Sequence, residues 1–128
     1  MKRAILTLVP MAAIACVILG AGSAPASSTF STKITHDATV PLGNGEFILT
    51  GHLRSRKSDC LYLRLVKPIG HRTDGSRKML DFDVTSLHGA WAAKAKLSGI
   101  DRVKAKVVKT STENGDVCQA DTVVFSVP

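Results

Sequence analysis

Apolar and polar residues alternate one by one in several stretches of the chain, and this alternation predicts β-strands. Residues 46–53, 61–65, 80–84 and 122–127 each carry apolar side chains at every second position, with mostly polar residues between them. Successive side chains of a strand point to opposite faces, so a period of two is typical of a half-buried strand.

Residues 90–97 are rich in alanine and lysine, and their helix propensity competes with their pattern. Ala93, Ala95 and Leu97 alternate with Lys94 and Lys96. A helix would repeat its apolar positions every three or four residues. We therefore predict a strand here.

Turn-forming residues separate these stretches. Glycine, asparagine and aspartate, which tolerate a positive φ, recur at residues 42–45, 73–76, 87–89 and 113–116. About seven short strands at regular spacing predict an all-β fold, a sandwich of two antiparallel sheets.

The N-terminus has the order of a secretory signal peptide. Lys2 and Arg3 precede an apolar run over 4–20, and small residues ending at Ala26 follow. We expect cleavage after Ala26, which makes 1–26 the signal peptide and the protein secreted or cell-wall associated. Residues 27–45 either pair as an edge strand or stay unpaired, and 46–128 form the sandwich domain.

One alternative uses the same N-terminal residues. The sequence before Cys16 is similar to the site at which bacterial lipoproteins are cut and acylated. Under that alternative the protein is a membrane-anchored lipoprotein, and only then does it contact a membrane. The other interpretation of Cys16 is a small apolar residue of the signal core.

Charge and cysteine content fit an exported binding module. Loss of Lys2 and Arg3 takes the basic residues from 17 to 15 against 10 acidic ones, a net charge of +5 that favours anionic polymers or surfaces. The two remaining cysteines, Cys60 and Cys118, are most simply explained as one disulfide. A catalytic thiol is disfavoured, because no histidine motif accompanies either cysteine.

Several short motifs resemble those of small exported bacterial domains of the immunoglobulin-like or transthyretin-like type. In chain order these are residues 51–55, Cys60, Thr85, Gly89, Trp91, residues 105–107 and Cys118. The resemblance covers about residues 46–128. It implies a non-catalytic module without a cofactor. Trp91 is the single tryptophan and begins a predicted strand, so we expect it to fill the sandwich core or cap its end.

Lys94 and Lys96 lie on one face of a predicted strand, and Lys104 and Lys106 on one face of the next. A hairpin with an odd-length loop would set Lys96 opposite Lys104 and Lys94 opposite Lys106, keeping the apolar faces together. Such a face could bind an anionic wall polymer. The alternative is an ordinary solvated face that protects an edge strand from aggregation.

A basic turn adds Arg54, Arg56 and Lys57 to this candidate binding surface. Aromatic residues do not interleave with the basic ones, which disfavours nucleic acid as the partner. The four histidines lie in separate segments without a metal-ligand spacing, and no catalytic motif is recognisable, so we expect no metal, no cofactor and no catalytic residue.

The sequence therefore predicts a non-enzymatic surface module, structural or binding, with a wall polymer or surface protein as its partner. A second hypothesis is a small secreted inhibitor or effector that acts through a loop over residues 67–78. A third is a hydrolase whose motif is not recognisable.

Overall fold

The structure, a computed structural model, describes residues 28–128. The predicted signal peptide and Cys16 lie outside the described residues. The strands are β1 (Thr29–Phe30), β2 (Lys33–Gly43), β3 (Glu46–Arg54), β4 (Leu65–Arg72), β5 (Arg77–Met79), β6 (Asp83–Val84), β7 (Ala90–Lys96), β8 (Ile100–Val107), β9 (Thr110–Ser111), β10 (Val117–Cys118) and β11 (Asp121–Ser126). A 3-10 turn, Ser58–Cys60, lies between β3 and β4.

Two antiparallel sheets form the body of the fold. The first has the order β2-β3-β7, and the second has the order β11-β8-β4-β5, with β6 also paired to β4. A small third sheet, β1-β10-β9, contains the parallel pair β1 and β10. The prediction of an all-β fold built from antiparallel sheets is confirmed.

The core lies between the two main sheets. The first sheet contributes Ile34, Leu49 and Ala95, and the second contributes Val66 and Val103, all to one buried cluster. Phe125 of β11 packs against this cluster from the edge. Each strand buries one face only, which explains the alternation in the sequence.

Trp91 lies in this core, as predicted, and is only 2 % exposed. Its indole N–H donates to the carbonyl oxygen of Thr35 at 3.2 Å. Gly51 is the cross-strand partner of Trp91. A Cβ atom at Gly51 would meet the Thr35 oxygen at 1.9 Å and the indole at 2.6 Å, so the close approach requires glycine.

The strands predicted over 46–53, 90–97 and 122–127 are confirmed as β3, β7 and β11. The one predicted over 61–65 is wrong, because residues 61–63 form a turn and β4 begins at Leu65. At this point Arg64 is buried and Leu63 is 63 % exposed, the opposite of the pattern. The strand predicted over 80–84 is also wrong: only Asp83 and Val84 are extended, and the apolar residues do not share a face.

Residues 33–43 form the long edge strand β2, which pairs with β3. Its register shifts between His36 and Ala38, and Ile34 is buried in the core. The turn to β3 has positive φ at Gly43, Asn44 and Gly45, as expected for a tight hairpin connection.

The predicted disulfide between Cys60 and Cys118 is present, with both residues fully buried and their Cα atoms 5.5 Å apart. It joins the 3-10 turn to β10. Disulfides persist in oxidising compartments, so this bond is typical of a non-cytoplasmic protein.

Arg64 organises the same end of the molecule. The side chain is 1 % exposed, and its guanidinium donates four hydrogen bonds, to Thr32 Oγ1 and to the carbonyl oxygens of Cys60, Val108 and Gln119. Burial lowers the pKa of Arg64. One side chain thus ties four chain segments together around the disulfide.

Candidate functional site

The predicted hairpin of lysines is wrong. Lys94 and Lys96 belong to β7 in the first sheet, and Lys104 and Lys106 belong to β8 in the second. The turn between β7 and β8 crosses from one sheet to the other. The two lysine pairs therefore lie on the outer faces of opposite sheets.

The physical reason is that alternation identifies the buried face of a strand but not its neighbour. Ala93 and Ala95 of β7 face the core from one side, and Val103 and Ala105 of β8 face it from the other. Packing across the core buries these residues as well as a hairpin would. Because β7 and β8 do not pair, Lys94 and Lys96 also do not lie opposite Lys104 and Lys106.

On the first sheet, lysine charge has an acidic neighbour. Lys96 pairs across the strands with Glu46, and Lys94 pairs with Ile48. Opposite charges placed directly across a sheet attract one another. This pair of lysines is the weaker candidate for an anionic ligand.

The basic turn is split. Arg54 ends β3, and Arg54 and Arg56 line a cleft at the start of β2. Lys57 instead points to Asp116, with Nζ 3.7 Å from its carboxylate oxygen, and lies 5.7 Å from the ring centroid of Phe30. Lys57 is therefore held by contacts within the protein.

The outer face of the second sheet collects more positive charge than the sequence predicted. We call this surface the basic face and define it by Lys67 and His71 of β4, Arg77 of β5, and Arg102, Lys104 and Lys106 of β8. Their outward orientation follows from the buried residues between them, such as Val66, Val103 and Ala105.

The register sets like charges side by side on the basic face. Lys67 pairs directly with Lys106, and His71 pairs with both Arg102 and Arg77. Like charges directly across a sheet are destabilising by a few tenths of a kcal/mol. The fold accepts this cost where Lys67 lies opposite Lys106, whereas the lowered pKa of His71 keeps its imidazole mostly neutral between Arg102 and Arg77.

The row between them is different. Lys104 pairs there with Val124 on one side and Ile69 on the other, and Ile69 pairs with Met79. Val124 and Met79 are both more than half exposed. Ile69, Met79 and Val124 thus form an apolar stripe, interrupted by Lys104, between the row of Lys67 and Lys106 and the row of Arg102 and Arg77.

Acidic residues do not take part in these three rows, which end in Thr122, Val124 and Ser126 on β11.

The surroundings of His71 change the pKa of its imidazole. Desolvation, followed by the charges of Arg102, Arg77 and Lys104, lowers the pKa of His71. Desolvation contributes most to this shift, and the three positive charges add to it in the same direction.

Part of the basic face could have been found in the sequence. Arg102 continues the alternation of Lys104 and Lys106, and Lys67 and His71 also alternate with inward-facing residues. Pro68 and Gly70 make β4 hard to predict from the sequence, because proline and glycine are rare inside central strands. β4 is nevertheless central, between β8 and β5.

The described residues contain no group of three or more histidine, cysteine or acidic side chains that could hold a metal ion. Over residues 28–128 no helix is long and apolar enough to cross a membrane. The segment 67–78, which the inhibitor hypothesis takes as a loop, is a hairpin of β4 and β5 closed by a turn at residues 73–76.

Comparison of the chain with protein-family models, with curated proteins and with solved structures finds no match.

Proposed function

We propose that this protein is a non-enzymatic binding module that holds an anionic wall polymer on the basic face. The observation that carries the proposal is the direct pairing of Lys67 with Lys106, with Arg102 and Arg77 on either side of His71 in a second charged row. Repulsion between these groups is relieved when a polyanion lies across them. The basic face is therefore most stable with an anionic ligand bound.

The dimensions of the basic face suit an extended polymer. Residues two apart on a strand are separated by about 6.8 Å, and neighbouring strands by about 4.8 Å. Arg102, Lys104 and Lys106 follow one another along β8 at this two-residue spacing of about 6.8 Å, so a chain with a negative group on each unit can contact them in succession. The apolar stripe formed by Ile69, Met79 and Val124 offers contact to the less polar faces of the same units.

The basic face suits nucleic acids and membranes less well than a wall polymer. Nucleic-acid surfaces usually offer aromatic rings for base stacking, and membrane-surface elements usually insert aromatic or leucine side chains. The rows of the basic face, as described above, contain neither aromatic residues nor leucine. A wall polymer is therefore favoured over an RNA or a lipid headgroup.

The separation of the two lysine pairs gives a matched experiment. K104E/K106E and K94E/K96E make the same change in net charge on opposite sheets. We expect the first variant to lose retention on immobilised polygalacturonate or teichoic acid at about 0.1 M salt, and the second to retain most of it. Retention of the wild type should fall as salt rises, because exposed charges are screened.

Equal loss in both variants would mean that net charge alone governs retention, and the basic face would then have no special role. Equal retention in both would remove the proposal altogether. Binding to anionic lipid vesicles but not to either polymer would replace the wall polymer by a membrane surface.

The class and location of the protein belong to the same proposal. We infer export from the signal-like pattern over 1–26 together with the disulfide, and an immunoglobulin-like or transthyretin-like sandwich from the motif around Gly51 and Trp91. The contact between these two residues supports that resemblance, since both belong to its motifs. Acylation at Cys16 would place the same module at a membrane surface.

A further inference from the structure

We propose that a second site, the cleft at the start of β2, binds a single sugar unit that carries a carboxylate or phosphate group beside free hydroxyls. We call it the anion cleft. It has a volume of about 470 Å³ and is lined by Ser31, Thr32, Lys33, Arg54, Ser55, Arg56 and Asp121. This inference uses other residues than the basic face and does not rest on it.

Every residue that lines the anion cleft has a polar or charged side chain, and the aliphatic parts of these side chains also face the cleft. Binding clefts of 300–1,000 Å³ are usually dominated by apolar side chains. Polar groups from every lining residue, set among aliphatic stems, instead suit a ligand such as a sugar, which carries charges and hydroxyls beside C–H groups. The volume is sufficient for about one sugar ring with its substituents.

Three positive side chains converge on the cleft, and one carboxylate, that of Asp121, lies with them. Lys33 and Arg54 are direct cross-strand partners at the end of the β2–β3 pair, and Arg56 follows in the adjoining turn. Among the described residues, none of these three side chains forms an ion pair. Two like charges held opposite each other form a ready receptor for an anionic group.

A buried hydroxyl strengthens the case. Thr32 is 6 % exposed, and its Oγ1 accepts a hydrogen bond from Arg64 Nη1 at 2.9 Å. Its own proton has no acceptor among the described residues, although Thr32 lines the cleft. Arg64, whose guanidinium bonds only to carbonyl and hydroxyl oxygens, therefore places a buried positive charge directly behind this donor.

Asp121 restricts which anions the cleft can bind. Its Oδ2 accepts from the Ile34 N–H at 3.0 Å, which fixes the carboxylate in the wall of the cleft. A carboxylate repels a bare anion but accepts hydrogen bonds from hydroxyl groups. The cleft thus selects an anion that carries hydroxyl donors, as a uronic acid or a sugar phosphate does.

The turn that carries Arg56 is braced. The Ser55 hydroxyl donates to the Ser31 carbonyl oxygen at 2.9 Å and accepts from the Lys57 N–H at 3.3 Å. These contacts join the two sides of the cleft before any ligand arrives. A pre-organised site loses less conformational entropy on binding.

The test uses protein expressed from the full chain and titrated with four probes: galacturonate, glucose 6-phosphate, inorganic phosphate and methyl galactoside. Amide shifts in ¹H–¹⁵N spectra report binding. We expect saturable shifts around Thr32 and Ser55 with the two sugar anions, much weaker binding of inorganic phosphate, and none of the neutral sugar.

Variants separate the roles of the charges. R54Q and R56Q should each lower the affinity for both sugar anions by about tenfold, the loss expected for a charge-assisted hydrogen bond. D121N keeps an acceptor for the Ile34 N–H and should lower the preference for sugar anions over inorganic phosphate. The matched control K104E/K106E should leave these affinities within about twofold.

Three results would overturn the inference. The first is the absence of saturable binding of both sugar anions. The second is inorganic phosphate binding as tightly as the sugar anions, which would reduce the cleft to a patch of positive charge. The third is loss of binding in K104E/K106E but not in R54Q or R56Q, which would assign the sugar anions to the basic face.

Discussion

Replacement of Arg64 by methionine tests the strongest structural claim about the fold. Methionine keeps much of the apolar stem of arginine and removes the guanidinium. The substitution deletes four hydrogen bonds of 2.7–2.9 Å at the disulfide end of the molecule. Three of the acceptors are main-chain carbonyl oxygens, on Cys60, Val108 and Gln119, that no rotation can redirect.

The magnitude follows from two opposing effects. Each buried polar group left without a partner costs about 1–3 kcal/mol, so three carbonyls cost about 3–9 kcal/mol. Removing the desolvated guanidinium charge stabilises the folded state by several kcal/mol and offsets part of this cost. We expect R64M to lower the free energy of unfolding by about 2–5 kcal/mol, a large share of the 5–15 kcal/mol typical of a domain.

Lysine at the same position sharpens the test. R64K retains the buried charge, but a single ammonium group cannot reproduce the planar fork that reaches both pairs of acceptors. We therefore expect R64K to be no more stable than R64M. R72M, at the end of β4, removes only an exposed hydrogen bond to Ser76 and should change stability by less than about 0.5 kcal/mol.

The assay is urea unfolding followed by the fluorescence of Trp91, the single tryptophan, which is buried in the core. Unfolding should be close to two-state for a domain of this size. A loss of less than about 1 kcal/mol in R64M, or an R64K variant as stable as the wild type, would refute the role assigned to Arg64.

Three further predictions concern stability. Replacing Cys60 and Cys118 by alanine removes a cross-link between residues 58 positions apart, which leaves the unfolded chain with more conformational entropy. Urea titration should show that the free energy of unfolding falls by about 4 kcal/mol, and an unchanged midpoint would contradict this prediction. In thermal melts G51A should be strongly destabilised, because its Cβ meets a carbonyl oxygen at 1.9 Å, whereas G75A, at an open turn with φ of 89°, should lose only about 1 kcal/mol; similar losses would refute the packing argument. The lowered pKa of His71 means that the folded state binds fewer protons than the unfolded chain near the ordinary histidine pKa of 6.5, so stability should rise with pH between the folded and unfolded pKa values, and H71Q should flatten that rise.

The parts of the fold that could be predicted are those where one residue pattern has one physical outcome. Alternation over 46–53 and 122–127 shows which side chains are buried, and the glycine and asparagine of residues 42–45 fit a tight hairpin. Two cysteines in an exported chain leave one disulfide to form. These inferences needed no knowledge of strand neighbours.

The rest depends on tertiary pairing that alternation does not encode. Whether β7 pairs with β8 or faces it across the core makes no difference to which residues are buried, so the lysines were assigned to one face wrongly. Arg64 was expected to point outward, yet its four acceptors come from segments up to 55 residues away. The basic face and the anion cleft are likewise assembled from distant strands.

The most direct test of the central claim is to map the polymer contact on the free protein. Short polygalacturonate chains added to ¹⁵N-labelled protein at about 0.1 M salt should shift the amides of Lys67, His71, Lys104 and Lys106, and the shifts should vanish at about 1 M salt. The amides of Lys94 and Lys96, on the opposite sheet, should stay unchanged. Shifts spread evenly over both sheets, or confined to β7, would contradict the assignment of the binding surface to the basic face.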